Sequence, residues 1–360
     1  MKRDKNIDYL RTFAMMLVII IHVLYFGEFF DNEYVNIIKS FFLFEMPLFF
    51  FITGASNELS KSKNYFEFVC KRFKRILIPY WIFAFVFSIL SIIKFSVESK
   101  ISLIKGICIF LSWILPLDMQ KTSISYITNT IWFIPVYLSI ILIVPLLKKI
   151  KKSSKKFEFI FVLLIIFFIT ALFKMGWIQN FTFYTFWTYI GLFYYDIKDL
   201  LKQKKLNIYL IISIILGFIT MILLFFNGQS LDMQINKFPP NIMFFVFSII
   251  TMSLIILFMK YLSKFMGFLN SIGIFNKVFK SFSTHGITLF LYQGIAFNIS
   301  NRLTNIIIPY ESFISPFLKF IVCLIIIIPV CFLITSFIGR FETISYNKNN
   351  KNNKNNKNNK

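Results

Sequence analysis

A chain of 360 residues that is 57% hydrophobic, with a mean hydropathy of +0.72, carries more apolar side chain than a soluble core can hide. Its net charge of +23 would suggest nucleic acid in a soluble protein, but the lysines cluster between apolar stretches, where membrane topology accounts for them without nucleic acid. A soluble enzyme and a nucleic-acid-binding domain are thereby excluded. Repeated apolar runs of about eighteen residues or more suit helices crossing a hydrocarbon core of about 30 Å. No barrel-like alternation is present, so the fold class is an all-α polytopic membrane protein.

In chain order, the basic start Met1-Lys2-Arg3-Asp4-Lys5 leads into a first span at 8–27. Val23-Leu24-Tyr25-Phe26-Gly27 has no small-residue cleavage site, so this helix reads as uncleaved rather than as a signal peptide. Further spans are expected at 40–56, 76–95, 129–147, 157–175, 177–195, 207–226, 240–259, 283–300 and 314–338, ten in all. The apolar region 100–120 is an eleventh candidate, and the basic residues decide against it. With ten spans, 29 of the 39 Lys and Arg residues fall on the side of both termini, as short cytoplasmic loops require. An eleventh span would put the Lys148 to Lys156 cluster outside. Residues 100–128 therefore read as an external re-entrant or interfacial segment, with both termini cytoplasmic. The division is a transmembrane domain at 1–340 and an Asn/Lys-repeat tail at 341–360, which has nothing to bury and reads as disordered.

The first span contains His22 in an otherwise apolar run, eleven residues after Arg11. Eleven residues bring a helix back to within about 20° of its starting face, and about 16 Å along its axis. Ionisable groups at such depth are costly and are functional candidates by default. A neutral imidazole can take the proton of a hydroxyl as that hydroxyl attacks an electrophile. The alternatives are a histidine bonded to its surroundings, and an Arg11 that snorkels or pairs with Asp8. Glu45, opening the run Glu45-Met46-Pro47-Leu48-Phe49-Phe50-Phe51-Ile52-Thr53-Gly54-Ala55-Ser56, could orient or charge-balance His22, or merely sit at the external interface.

At the cytoplasmic entrance to the third span, Lys71-Arg72-Phe73-Lys74-Arg75 places two guanidinium groups three residues apart, with Lys74 between them. Such forks can clamp phosphates, although a positive-inside run has the same composition. Outside, Trp113, Tyr126 and Trp132 are aromatic faces near short polar groups, suited to a sugar or to anchoring at the interface. Cys70, Cys108, Cys323 and Cys331 have no paired spacing and read as buried free thiols. Two histidines give a metal site little support.

Taken together, Arg11 followed by His22, the Met46 to Gly54 run, Arg72-Phe73-Lys74-Arg75 before Ile76 and Pro79-Tyr80, and Trp132-Phe133 resemble the bacterial integral-membrane acyltransferase 3 family. The resemblance covers the chain to about residue 340. It implies transfer of an acyl group, commonly acetyl from acetyl-CoA as donor substrate, to a carbohydrate hydroxyl at the outer face of the bacterial cytoplasmic membrane, with no tightly bound cofactor. On that resemblance His22 is the essential histidine, Arg11 its partner, and Arg72 and Arg75 the pair associated with the acyl donor. The expected partners are a carbohydrate acceptor and membrane lipids. The competing reading is a transporter or flippase for a lipid-linked sugar, in which buried Arg, His and Glu bind cargo or relay protons.

Overall fold

The computed structural model describes residues 4–27, 33–60, 64–99, 103–114, 131–202, 205–309 and 315–343. They form α1 (Lys5–Phe26), α2 (Glu33–Ser40), α3 (Glu45–Glu58), α4 (Tyr65–Ser99), α5 (Leu103–Ile114), α6 (Phe133–Lys152), α7 (Glu158–Leu172), α8 (Trp177–Leu192), α9 (Tyr194–Leu201), α10 (Lys205–Phe226), α11 (Met233–Asn236), α12 (Ile242–Ser271), α13 (Gly273–Thr284), α14 (Gly286–Ile307) and α15 (Ser315–Ile338). The one extended pairing among the described residues is an isolated bridge between Lys237 and Pro240. The protein is an all-α polytopic membrane protein.

Every expected span has a helix at its place. Seven helical stretches are long and apolar enough to cross a membrane: Lys5–Phe26, Tyr34–Glu58, Tyr65–Ile93, Phe133–Lys152, Leu206–Phe226, Ile242–Ser271 and Pro316–Ile338. The other three fall short for physical reasons. α7 has 15 residues and α8 has 16, which at 1.5 Å per residue reach only about 24 Å. α14 is long enough, but it buries Thr288, Gln293, Ser300 and Thr304 among its apolar residues. Within the region 100–120 the described residues form α5, which packs against α4. The tail beyond residue 343 lies outside the described residues.

Within the expected 1–340 domain the chain separates into two compact units, residues 1–61 with 139–279 and residues 62–138 with 280–360. In the first, α1 starts where Asp4 accepts the Asn6 N–H at 2.9 Å, a side-chain cap, and it stops at Gly27, whose N–H reaches Val23 O at 3.1 Å. α3 crosses α8 at paired glycines. A Cβ on Gly54 would strike the Thr188 carbonyl and Gly191, and a Cβ on Gly191 would strike Phe51, so only the small residue permits this backbone approach. Phe167 of α7, Phe183 of α8 and Phe245 of α12 fill the adjoining core, with Phe167 and Phe245 stacked at 4.7 Å. α10 lies on α12 and leaves most of its apolar surface facing outward, as a lipid-facing helix does.

The second unit is built from α4, α5, α14 and α15. Phe83 and Phe87 of α4 pack on Trp113 of α5, and Phe83 meets Tyr292 of α14 edge to face at 5.2 Å. α14 and α15 lie along one another.

Candidate functional site

His22 stands on α1, half-buried, with Nδ1 2.7 Å from the carbonyl of Val18 one turn earlier. A carbonyl oxygen can only accept, so the proton sits on Nδ1 and the neutral ring carries its lone pair on Nε2. The ring rests 5.0 Å from Phe26. This arrangement fixes the ring through one nitrogen and leaves the lone pair on the other.

Glu45 begins α3, where the positive end of the helix dipole favours an acid, and is only 4% exposed. Its partner is Lys237, not the imidazole: Oε1 accepts from Lys237 Nζ at 2.5 Å, and Oε2 has no hydrogen-bond partner among the described residues. The expected orientation of His22 by Glu45 is therefore replaced by a buried ion pair. A tied segment presents Lys237. Asn236 donates to the carbonyls of Ser230 and Asp232, Asn241 Nδ2 donates to Asn236 Oδ1, and Gln179 of α8 donates to Pro240 O. Tyr25 stands on α1 three residues beyond His22. The Tyr25 hydroxyl has no hydrogen-bond partner among the described residues.

Arg11 is engaged at the other end of the same helix. Nη2 donates to Ser56 Oγ at 2.7 Å and Nη1 lies 3.4 Å from Asp8. It ties α1 to the end of α3, the segment expected to matter from residues 45–56. Lys148 donates to the carbonyls of Asn57 and Ser60 at the same terminus, and Lys151 meets Glu58 and Asp196. Lysines that serve as a topology signal thus also neutralise a helix end.

The expected donor cations lie in the second unit, on the first turns of α4. Arg72 is half-buried with its guanidinium 5.6 Å from the Phe68 ring, and Lys74 is exposed. Arg75 is held: Nε and Nη2 lie 3.3 and 3.2 Å from Glu342 Oε1, and Nη2 also donates to Thr284 O at 2.9 Å. The buried Glu342 uses its other oxygen to accept from the Thr288 N–H and hydroxyl, both at 3.1 Å, which caps the start of α14. Arg75 is thus part of a buried junction as well as of the cationic run.

Of the expected sugar-facing aromatics, Trp113 is 1% exposed inside the second unit, its carbonyl bonded by Tyr80 OH at 2.7 Å. That burial replaces an open stacking platform with a packed indole. Trp132 is half-buried just before α6, and Tyr126 lies outside the described residues. Sequence reasoning passed over Lys237 and Glu342. The available signal for the first was that a buried glutamate requires a counter-charge.

Helices built to span a bilayer, with a histidine and a buried ion pair among them, define a polytopic membrane protein. The model of the acyltransferase domain, acyltransferase 3, matches residues 4–336, and the chain belongs to that family. The comparisons with curated proteins and with solved structures returned no match.

Proposed function

We propose that this membrane acyltransferase moves an acyl group, acetyl in the first instance, from cytoplasmic acyl-CoA to a hydroxyl of a cell-surface or lipid-linked carbohydrate in the bacterial cytoplasmic membrane. The observation that carries the reading is the Nδ1 bond of His22 to Val18, which leaves Nε2 as a free base. The acceptor hydroxyl gives its proton to Nε2 while its oxygen bonds the thioester carbonyl carbon. The C–S bond then breaks, and the departing thiolate of coenzyme A takes the proton from the imidazolium. Arg72 and Lys74 bind the donor phosphates as forked and point cations, with Arg75 fixed behind them by Glu342. Trp132 remains the aromatic candidate for the sugar.

The lysine distribution supports the direction, with donor cations on the cytoplasmic side. The decisive experiment uses the full chain in liposomes with radiolabelled acetyl-CoA and the glycan fraction of the producing cell. Wild type should label the glycan, and His22→Ala should lose about two orders of magnitude or more of the rate while still inserting. Near-normal transfer by His22→Ala sinks the base assignment.

A further inference from the structure

The second unit encloses polar groups that none of its described residues satisfies. Gln293, in the middle of α14, is 1% exposed, and neither its Oε1 nor its Nε2 has a hydrogen-bond partner among the described residues. Trp113 on α5 is equally buried and leaves its Nε1–H unpaired, as does the hydroxyl of Ser91 on α4. Such a group costs about 1–3 kcal/mol when left alone, and a carboxamide leaves both a donor and an acceptor. Elsewhere in the unit Tyr80 OH, Ser281, Ser300, Thr304 and Thr335 find partners, while His285 Nδ1 at the start of α14 has none among the described residues. The orphaned groups are local exceptions.

Their placement follows an axis. α4 opens with Arg72, Lys74 and Arg75 and then buries Ile76, Tyr80, Phe83, Phe87 and Ser91 at three- and four-residue steps, one stripe of the helix. Phe83 touches both neighbours, with its ring 6.3 Å from Trp113 and 5.2 Å from Tyr292, the residue before Gln293. α14 begins beside Arg75, which donates to Thr284 O, and Gln293 follows nine residues later, about 13 Å along the axis. The unit therefore passes from a cationic end into an aromatic interior that holds an unused amide and an unused indole N–H.

One ligand chemistry meets all three requirements: a molecule anionic at one end, with secondary amides spaced along a slender arm. A hydrocarbon chain has nothing to offer the amide, and a free sugar has no use for the cationic end. We propose that Gln293 and Trp113 hold the pantetheine arm of the acyl donor. Gln293 Oε1 accepts an amide N–H of the arm, its Nε2 donates to an amide carbonyl, and Trp113 Nε1 donates to the other carbonyl. The assignment rests on the acyl-CoA reading above.

The test titrates the purified full chain in detergent with coenzyme A and with adenosine 3′,5′-bisphosphate, which keeps phosphates but lacks the arm. Gln293→Leu, and Gln293→Met as the closer match in shape, should bind coenzyme A about tenfold more weakly than wild type and the bisphosphate equally well. Both should melt no lower than wild type, because an unsatisfied amide has been removed. Trp113→Phe should weaken coenzyme A about fivefold. Wild-type affinity for coenzyme A in Gln293→Met overturns the proposal. So does a parallel loss of both ligands, or a lower melting temperature in both Gln293 variants, since either marks a structural amide. A wild-type protein that binds neither ligand removes the acyl-CoA reading itself, a result distinct from the other three.

Discussion

Glu45 and Lys237, 192 residues apart in the chain, meet as an ion pair in which both side chains are nearly inaccessible. Two desolvated charges of opposite sign depend on one another far more than an exposed pair does. Removing one partner strands the other, at a cost of about 3–5 kcal/mol, whereas removing both charges relieves the penalty. Glu45→Gln and Lys237→Met should therefore each lower the melting temperature of the detergent-solubilised protein, and the double variant should recover most of the loss. Additive losses in the double variant would contradict the pairing.

The cationic run on α4 divides by what each side chain touches. Arg72→Ala and Lys74→Ala remove exposed or half-buried charge and should raise the KM for acetyl-CoA about tenfold with little change in stability. Arg75→Ala and Glu342→Gln break a buried junction, so each should destabilise by about 1–3 kcal/mol. A double-mutant cycle on Arg75 and Glu342 should return coupling, and a cycle on Arg72 and Glu342 should return none.

The glycine crossing of α3 and α8 is a steric prediction. Gly54→Ala and Gly191→Ala each place a methyl group against the opposing backbone, which cannot yield as a side chain can. Overpacking of this kind costs about 1–3 kcal/mol or more, and size-exclusion profiles should show loss of the monodisperse protein. Gly228→Ala, with open space around its Cβ position but φ of +84°, should show only the milder strain of its backbone.

Arg11 and Ser56 share a 2.7 Å hydrogen bond that joins the helix of His22 to the end of α3. If Arg11 acts by holding α1 in place, Ser56→Ala should lower kcat several-fold in the same direction as Arg11→Ala, leaving the KM for acetyl-CoA close to wild type. A change confined to KM would instead make Arg11 a donor-binding group.

Much of the helical order was legible because hydrophobic length is a local property. Each expected span found its helix. The shortness of α7 and α8 was harder to read, since Phe157, Phe173 and Met175 are as apolar as the helix between them. His22 and Arg11 were identifiable because charge in an apolar run is conspicuous. Their partners were not: Val18 contributes a backbone carbonyl, and Ser56 looks like any other small residue of a membrane helix. The pairs Glu45 with Lys237 and Arg75 with Glu342 bring together residues 192 and 267 positions apart, and only the fold sets such distances.

The cap on α14 has a consequence for how the chain is made. The first turn of α14 and the guanidinium of Arg75 both depend on Glu342, which is synthesised 54 residues after Thr288 and 267 after Arg75. Until that last turn is translated, an arginine fork and a helix start wait without their carboxylate. Glu342 is therefore the last part of this junction to leave the ribosome, after the arginine and the helix start that it joins.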